Sequence, residues 1–96
     1  MEITVTERPE LHRFEVRDAG ALLGYAEYQI RGEVLAITHT EVEPARQGQG
    51  IASLLIAGML DQVRASGRQV LPLCPFVVRY LEQHDEYRDV AVSSHS

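Results

Sequence analysis

A chain of 96 residues with 45% apolar and 24% charged side chains has the size and composition of one soluble globular domain, which excludes a disordered or fibrous chain. The net charge of -5, with all nine basic residues arginine, disfavours nucleic acid as a partner and mildly favours cationic ones. No apolar stretch approaches the roughly 20 residues of a membrane span. Cys74, the single cysteine, cannot form an internal disulfide, and the first residues carry no basic region followed by an apolar run, so the expected location is the cytosol.

Residues 1–11 read either as a frayed arm or as an extra edge strand. Phe14 and Val16 then alternate with Arg13, Glu15 and Arg17, the period of two of a half-buried strand, and Asp18-Ala19-Gly20 supplies a turn. From Leu22 to Ile30 the alternation resumes, with Ala26, Tyr28 and Ile30 on one side and Tyr25, Glu27 and Gln29 on the other; this strand pairs with the first as a hairpin. After the break at Arg31-Gly32-Glu33, residues 34–42 are β-branched and aliphatic and form a third antiparallel strand. Strict alternation places Leu35, Ile37, His39 and Glu41 on one face and Val34, Ala36, Thr38, Thr40 and Val42 on the other.

Residues 43–50 have neither period, contain a proline and two glycines, and predict a loop. From Ile51 the spacing turns helical: Ala52, Ile56 and Leu60, and Leu55, Met59 and Val63, recur every fourth residue until Gly67 ends the helix. Val70 to Leu73 predicts a buried strand parallel to the third, since a helix-length crossover separates them. Pro75 opens a second helix running to about His84, Val90 to Val92 offers a last extended piece, and the tail at 93–96 is expected to be disordered. The predicted fold is thus a compact α/β mixed sheet, three antiparallel strands followed by helix, strand and helix, in a single domain spanning 1–96.

The loop carries the clearest functional signal. Glycines at 48 and 50 that open directly into a helix present free backbone N–H groups, backed by the positive end of the helix dipole, and let a diphosphate approach the main chain. Ala52 keeps the first turn uncrowded, and Arg46 is placed to add a charge-assisted contact. A Walker loop is excluded by the lack of lysine, and G-x-G-x-x-G by the serine at position 53.

The stretch Gln47-Gly48-Gln49-Gly50-Ile51-Ala52, lying between a long strand and an amphipathic helix, resembles the Q/R-x-x-G-x-G/A motif of the GNAT acetyltransferases at every constrained position. His39-Thr40-Glu41-Val42 and Leu73-Cys74-Pro75-Phe76 are similar to the small, uncharacterised branch of that family, and the likeness extends over about residues 12–90. The resemblance implies an acetyl-CoA-dependent N-acetyltransferase with a CoA site at Val42, Arg46, Gln47, Gly48, Gln49, Gly50, Ile51 and Ala52. It further implies that the pantetheine arm lies between residues 38–42 and 70–74, which splay apart. The chain departs from the usual pattern in having no room for the two early helices or the closing C-terminal hairpin, parts that normally shape the acceptor site. A CoA-binding module without catalysis is the alternative reading, and a strand-edge interaction protein with no ligand is a third.

Acetyl transfer to an amine needs a neutral amine, donors for the oxyanion and a proton for the departing thiolate. Glu41 and His39 share a strand face and are candidate bases, each also readable as an ordinary strand side chain. Cys74 precedes the second helix, where the dipole favours thiolate, and reads as nucleophile, general acid or buried structural cysteine. Tyr80, on the Phe76, Val77 and Leu81 side of its helix, reads as core, and Tyr87 lies beyond the clear pattern. His12 and His84 stand alone, so no metal site is expected.

Overall fold

The computed structural model describes residues 2–92, so the expectation for the tail at 93–96 lies outside the described residues. Five strands form one sheet in chain order: β1 (Ile3–Arg8), β2 (Arg13–Asp18), β3 (Ala21–Arg31), β4 (Val34–Val42) and β5 (Gln69–Pro72). The first four are antiparallel neighbours, and β5 lies parallel to β4 after the crossover helix α1 (Ile51–Ala65). A second helix, α2 (Pro75–Gln83), follows β5, and Ala91 pairs with Val70 on the outer side of β5.

The ambiguous N-terminal segment is an edge strand. Ile3 and Val5 turn towards α1, where Val5 sits so close to Gly58 that a Cβ there would come within 2.7 Å of it. The Val5 carbonyl points to the open edge of the sheet and accepts a hydrogen bond from Gln62 Nε2 at 2.6 Å. Glu7, two residues on, accepts from the Tyr28 hydroxyl and from both terminal nitrogens of Arg68, pinning the segment beyond α1 to the sheet.

One side of the sheet is covered by α1, whose Leu55, Ile56, Met59, Leu60 and Val63 are buried against Phe14, Val16, Leu35 and Ile37. Burial of such a stripe is the main favourable term, about 1.5–3 kcal/mol for each large side chain. The helix ends in a Schellman motif: Gly67, at φ +76°, donates to the Arg64 carbonyl and Arg68 to that of Val63. The other side of the sheet is polar. There Glu15, only 1% exposed, is enclosed by Arg8, Arg13 and Arg17, so a charge on the outward face of a strand becomes buried.

β4 departs from the predicted alternation. Glu27 pairs with His39 but Tyr28 pairs with Ile37, so Thr38 is an extra residue, a β-bulge, and every side chain after it changes sides. Leu35 and Ile37 therefore share the helix-covered face with Thr40 and Val42, whereas His39 and Glu41 stand together on the polar face. The expectation that Leu35, Ile37, His39 and Glu41 share a face is corrected on this point.

Candidate functional site

The site forms where β4 and β5 part. Their pairing ends at Ile37 and Pro72, with one further bond from the Leu73 amide to the Ile37 carbonyl. On its other side β4 stays bonded to β3 up to the Glu43 amide, which donates to the Leu23 carbonyl. By the alternation of an antiparallel ladder, the main-chain groups of Thr40 and Val42 point away from β3, into the gap that β5 has left. Gly24 is required opposite this stretch, because a Cβ there would lie 2.5 Å from the Glu41 carbonyl.

A cleft of about 380 Å³ opens at this gap, lined by Thr40, Glu41, Val42, Arg46, Gln47, Gly48, Gly50, Ile51, Ala52, Ser53 and Phe76. Pro44–Arg46 form a single helical turn that lifts the chain off the sheet, and Gly48 and Gly50 then take φ of +85° and +78°, values that side chains disfavour. Among the described residues, no carbonyl or side chain accepts from the amides of residues 48–53. The cleft therefore presents consecutive free N–H groups at a helix N-terminus, an anion-binding arrangement. Arg46 lines it and takes part in none of the ion pairs among the described residues.

The predicted loop residues divide into distinct roles in this geometry. The Gln47 side chain donates from Nε2 to the Val42 carbonyl at 3.3 Å, fastening the loop to the end of β4. Gln49 is exposed and does not line the cleft, while Ile51 is buried and anchors the first turn of α1 in the core.

The predicted catalytic residues lie on opposite sides of β4. Cys74 caps α2, is 4% exposed, and donates from Sγ to Thr40 Oγ1 at 3.3 Å on the helix-covered side. On the polar side His39 Nε2 is 3.7 Å from Glu41 Oε2, and the Tyr25 hydroxyl donates to the same oxygen at 2.7 Å. The hydrogen bond from Tyr25, with His39 beside it, holds the Glu41 carboxyl below its ordinary range, while the carboxylate raises the Tyr25 hydroxyl. Thr40 and Tyr25 were not singled out by the sequence. Thr40 is brought to Cys74 by the bulge, which a continuous β-branched run does not reveal, and Tyr25 needs the strand register.

Both tyrosines of the C-terminal segment lie away from the cleft. Tyr80 stacks on His84 with ring centres 3.8 Å apart, and Tyr87 is buried, donating to Asp61 Oδ1 at 2.8 Å. Burial first, then that hydrogen bond, pushes the Tyr87 hydroxyl up to about 12. Phe76 departs from its predicted place beside core Val77: it is exposed on the lip of the cleft. Among the described residues no group of three His, Cys, Asp or Glu side chains is placed to hold a metal, and no helix is long and apolar enough to cross a membrane.

A family model described as GCN5-related N-acetyl-transferase matches residues 13–90. The chain belongs to the GCN5-related N-acetyltransferase family. Solved members share its fold. A GCN5-like protein from Staphylococcus aureus, solved by NMR, is 22% identical with a TM-score of 0.71, the match covering 98% of this chain and 94% of that one. The ribosomal-protein-S18-alanine N-acetyltransferase from Escherichia coli is 17% identical with a TM-score of 0.62, over 74% of this chain and 49% of that one. A GNAT-family protein from Desulfovibrio desulfuricans is 19% identical with a TM-score of 0.55, over 88% and 56%. The chain thus spans about half the length of the last two and nearly the whole of the first. No curated protein matches the chain.

Proposed function

We propose that the protein transfers an acetyl group from acetyl-CoA to an amine, using residues 1–96 as one working domain. The observation that carries this reading is the row of free amides at residues 48–53 beside the uncommitted Arg46, a cradle for the CoA pyrophosphate. From there the Val42 amide and the main chain of Thr40, left without a strand partner on the β5 side, offer the edge along which a pantetheine arm, itself an amide chain, can lie. That path leads the thioester to Thr40 and Cys74.

Cys74 is the candidate acetyl acceptor within the enzyme. Its sulfur attacks the thioester carbon, and the amine then takes the acetyl group from Cys74. Glu41 and His39 form the acceptor side. There the Tyr25 hydroxyl and His39 both stand against the Glu41 carboxylate, and Glu41 and His39 are the candidate bases for the acceptor amine. A free buried thiol suits the reducing conditions of the cytosol, where we place the protein.

Thermal unfolding with acetyl-CoA tests the donor: at about 100 times the dissociation constant the ligand should stabilise the fold by ~2.7 kcal/mol. No shift would overturn the reading. Acetylation of a panel of small amines and of lysine or terminal amines in peptides, with Cys74→Ala and Glu41→Ala as comparisons, tests the reaction. Binding with neither acetyl transfer nor acetylation of the protein would reduce it to a CoA-binding module.

A further inference from the structure

Among the described residues the buried polar side chains are Glu15 and Thr40. Glu15 is enclosed by the arginines around it, whereas Thr40 is paired with the one cysteine. Its hydroxyl lines the cleft, is 5% exposed, and accepts the Cys74 thiol proton across the gap between β4 and β5. A hydroxyl has one proton and two lone pairs. Thiol and hydroxyl share this one hydrogen bond, which either can donate, so the hydroxyl keeps further capacity to bond a group in the cleft that Thr40 lines.

We propose that Thr40 is a catalytic residue that carries a proton from the Cys74 sulfur to the departing sulfur of CoA. The inference rests on the reading of Cys74 as acetyl acceptor. As the Cys74 sulfur bonds to the acetyl carbon, the carbon–sulfur bond of acetyl-CoA breaks. In the same step the thiol proton passes to Thr40 Oγ1, and Thr40's original proton passes to the CoA sulfur. The products are acetylated Cys74 and the free CoA thiol, with Thr40 restored and neither water nor a separate base consumed. A hydroxyl suits this exchange because donor and recipient are both thiols, with matched proton affinities, so Thr40 never holds a net charge.

The experiment mixes the full chain with acetyl-CoA and follows acetylation of its single cysteine by intact mass, in water and in heavy water. Thr40→Val, which keeps the shape and removes the hydroxyl, should slow acetylation by about 100-fold or more, the usual scale of lost proton transfer. Thr40→Ser should stay within about 5-fold of the native rate, since the same transfer remains. The native protein should show a solvent isotope effect that the valine variant lacks. A thermal shift with CoA should remain in all three, so that a slower acetylation is read on protein that binds. A valine variant that acetylates at the native rate overturns the proposal, as does a native rate indifferent to heavy water, a result that needs no variant to fold. Native protein that binds acetyl-CoA and never acetylates Cys74 removes the Cys74 reading, and Thr40's role with it, while leaving the CoA site standing.

Discussion

Both helices begin at the same cleft, yet their N-termini are built differently. At α1 the chain arrives through two glycines at positive φ, and the amides of residues 48–53 have no protein acceptor. At α2 the chain arrives extended, Pro75 removes one amide, and those of Val77 and Val78 fold back onto the Cys74 carbonyl. The first start is left open for an anion; the second is closed on itself and carries a buried sulfur. A helix dipole exists at both ends, so the dipole alone does not decide what a terminus binds. What decides is whether the preceding turn leaves its donors unspent, and here glycine and proline make the difference.

Substitutions that fill or empty one of these starts should separate them. The largest effect is expected from Gly50→Val, which imposes a side chain at φ +78° and closes the open start. Strain of ~1–3 kcal/mol at such a position predicts a loss of CoA affinity of about 100-fold, read by isothermal titration. Arg46→Ala removes one charge-assisted contact and should weaken CoA by about 10-fold, with a smaller loss at high salt. Unchanged affinity in both variants would mean that the open start is not the anion site.

The far end of α1 gives a gentler test, because Arg68 and Tyr28 fix Glu7 there without touching the cleft. The hydrogen bonds from Arg68 lead the lowering of the Glu7 carboxyl, against the opposing effect of burial. A carboxyl lowered on folding stabilises above its unfolded value and loses that contribution as pH falls through the folded one. Stability should thus drop by ~1 kcal/mol from this site as pH falls through and below the ordinary carboxylate range, and Glu7→Gln should flatten that part of the acid limb in denaturant titrations. The smallest effect on CoA binding is expected from Cys74→Ser, within about 2-fold, because the closed start contributes no amide to the anion. A large loss of affinity there would erase the distinction between the two helices.

Much of this arrangement is legible in the sequence. The bounds of β4, the loop and α1 follow from the period changing at Val34, Val42 and Ile51, and Gly67 marks the Schellman turn. Ile3 and Val5 alternate with Thr4 and Thr6, but so short a run does not by itself distinguish a strand from an arm. The bulge at Thr38 escaped because a continuous β-branched run satisfies strict alternation equally well in either phase. That one residue decides which of His39, Thr40 and Glu41 meets Cys74. Glu15 escaped for a different reason: its burial is made by long arginines that reach over it from positions Arg8, Arg13 and Arg17, and no periodicity reports where a flexible side chain ends.

The hydrogen bond from Gln62 to the Val5 carbonyl has a consequence beyond local packing. A strand at the border of a sheet is a template on which other chains can align, and growth into fibrils begins there. Gln62 occupies the acceptor in the middle of that border, and Ala91 shields β5 at the opposite one. Each margin of the sheet is thus interrupted at its middle, which shortens the ladder a neighbouring chain could extend.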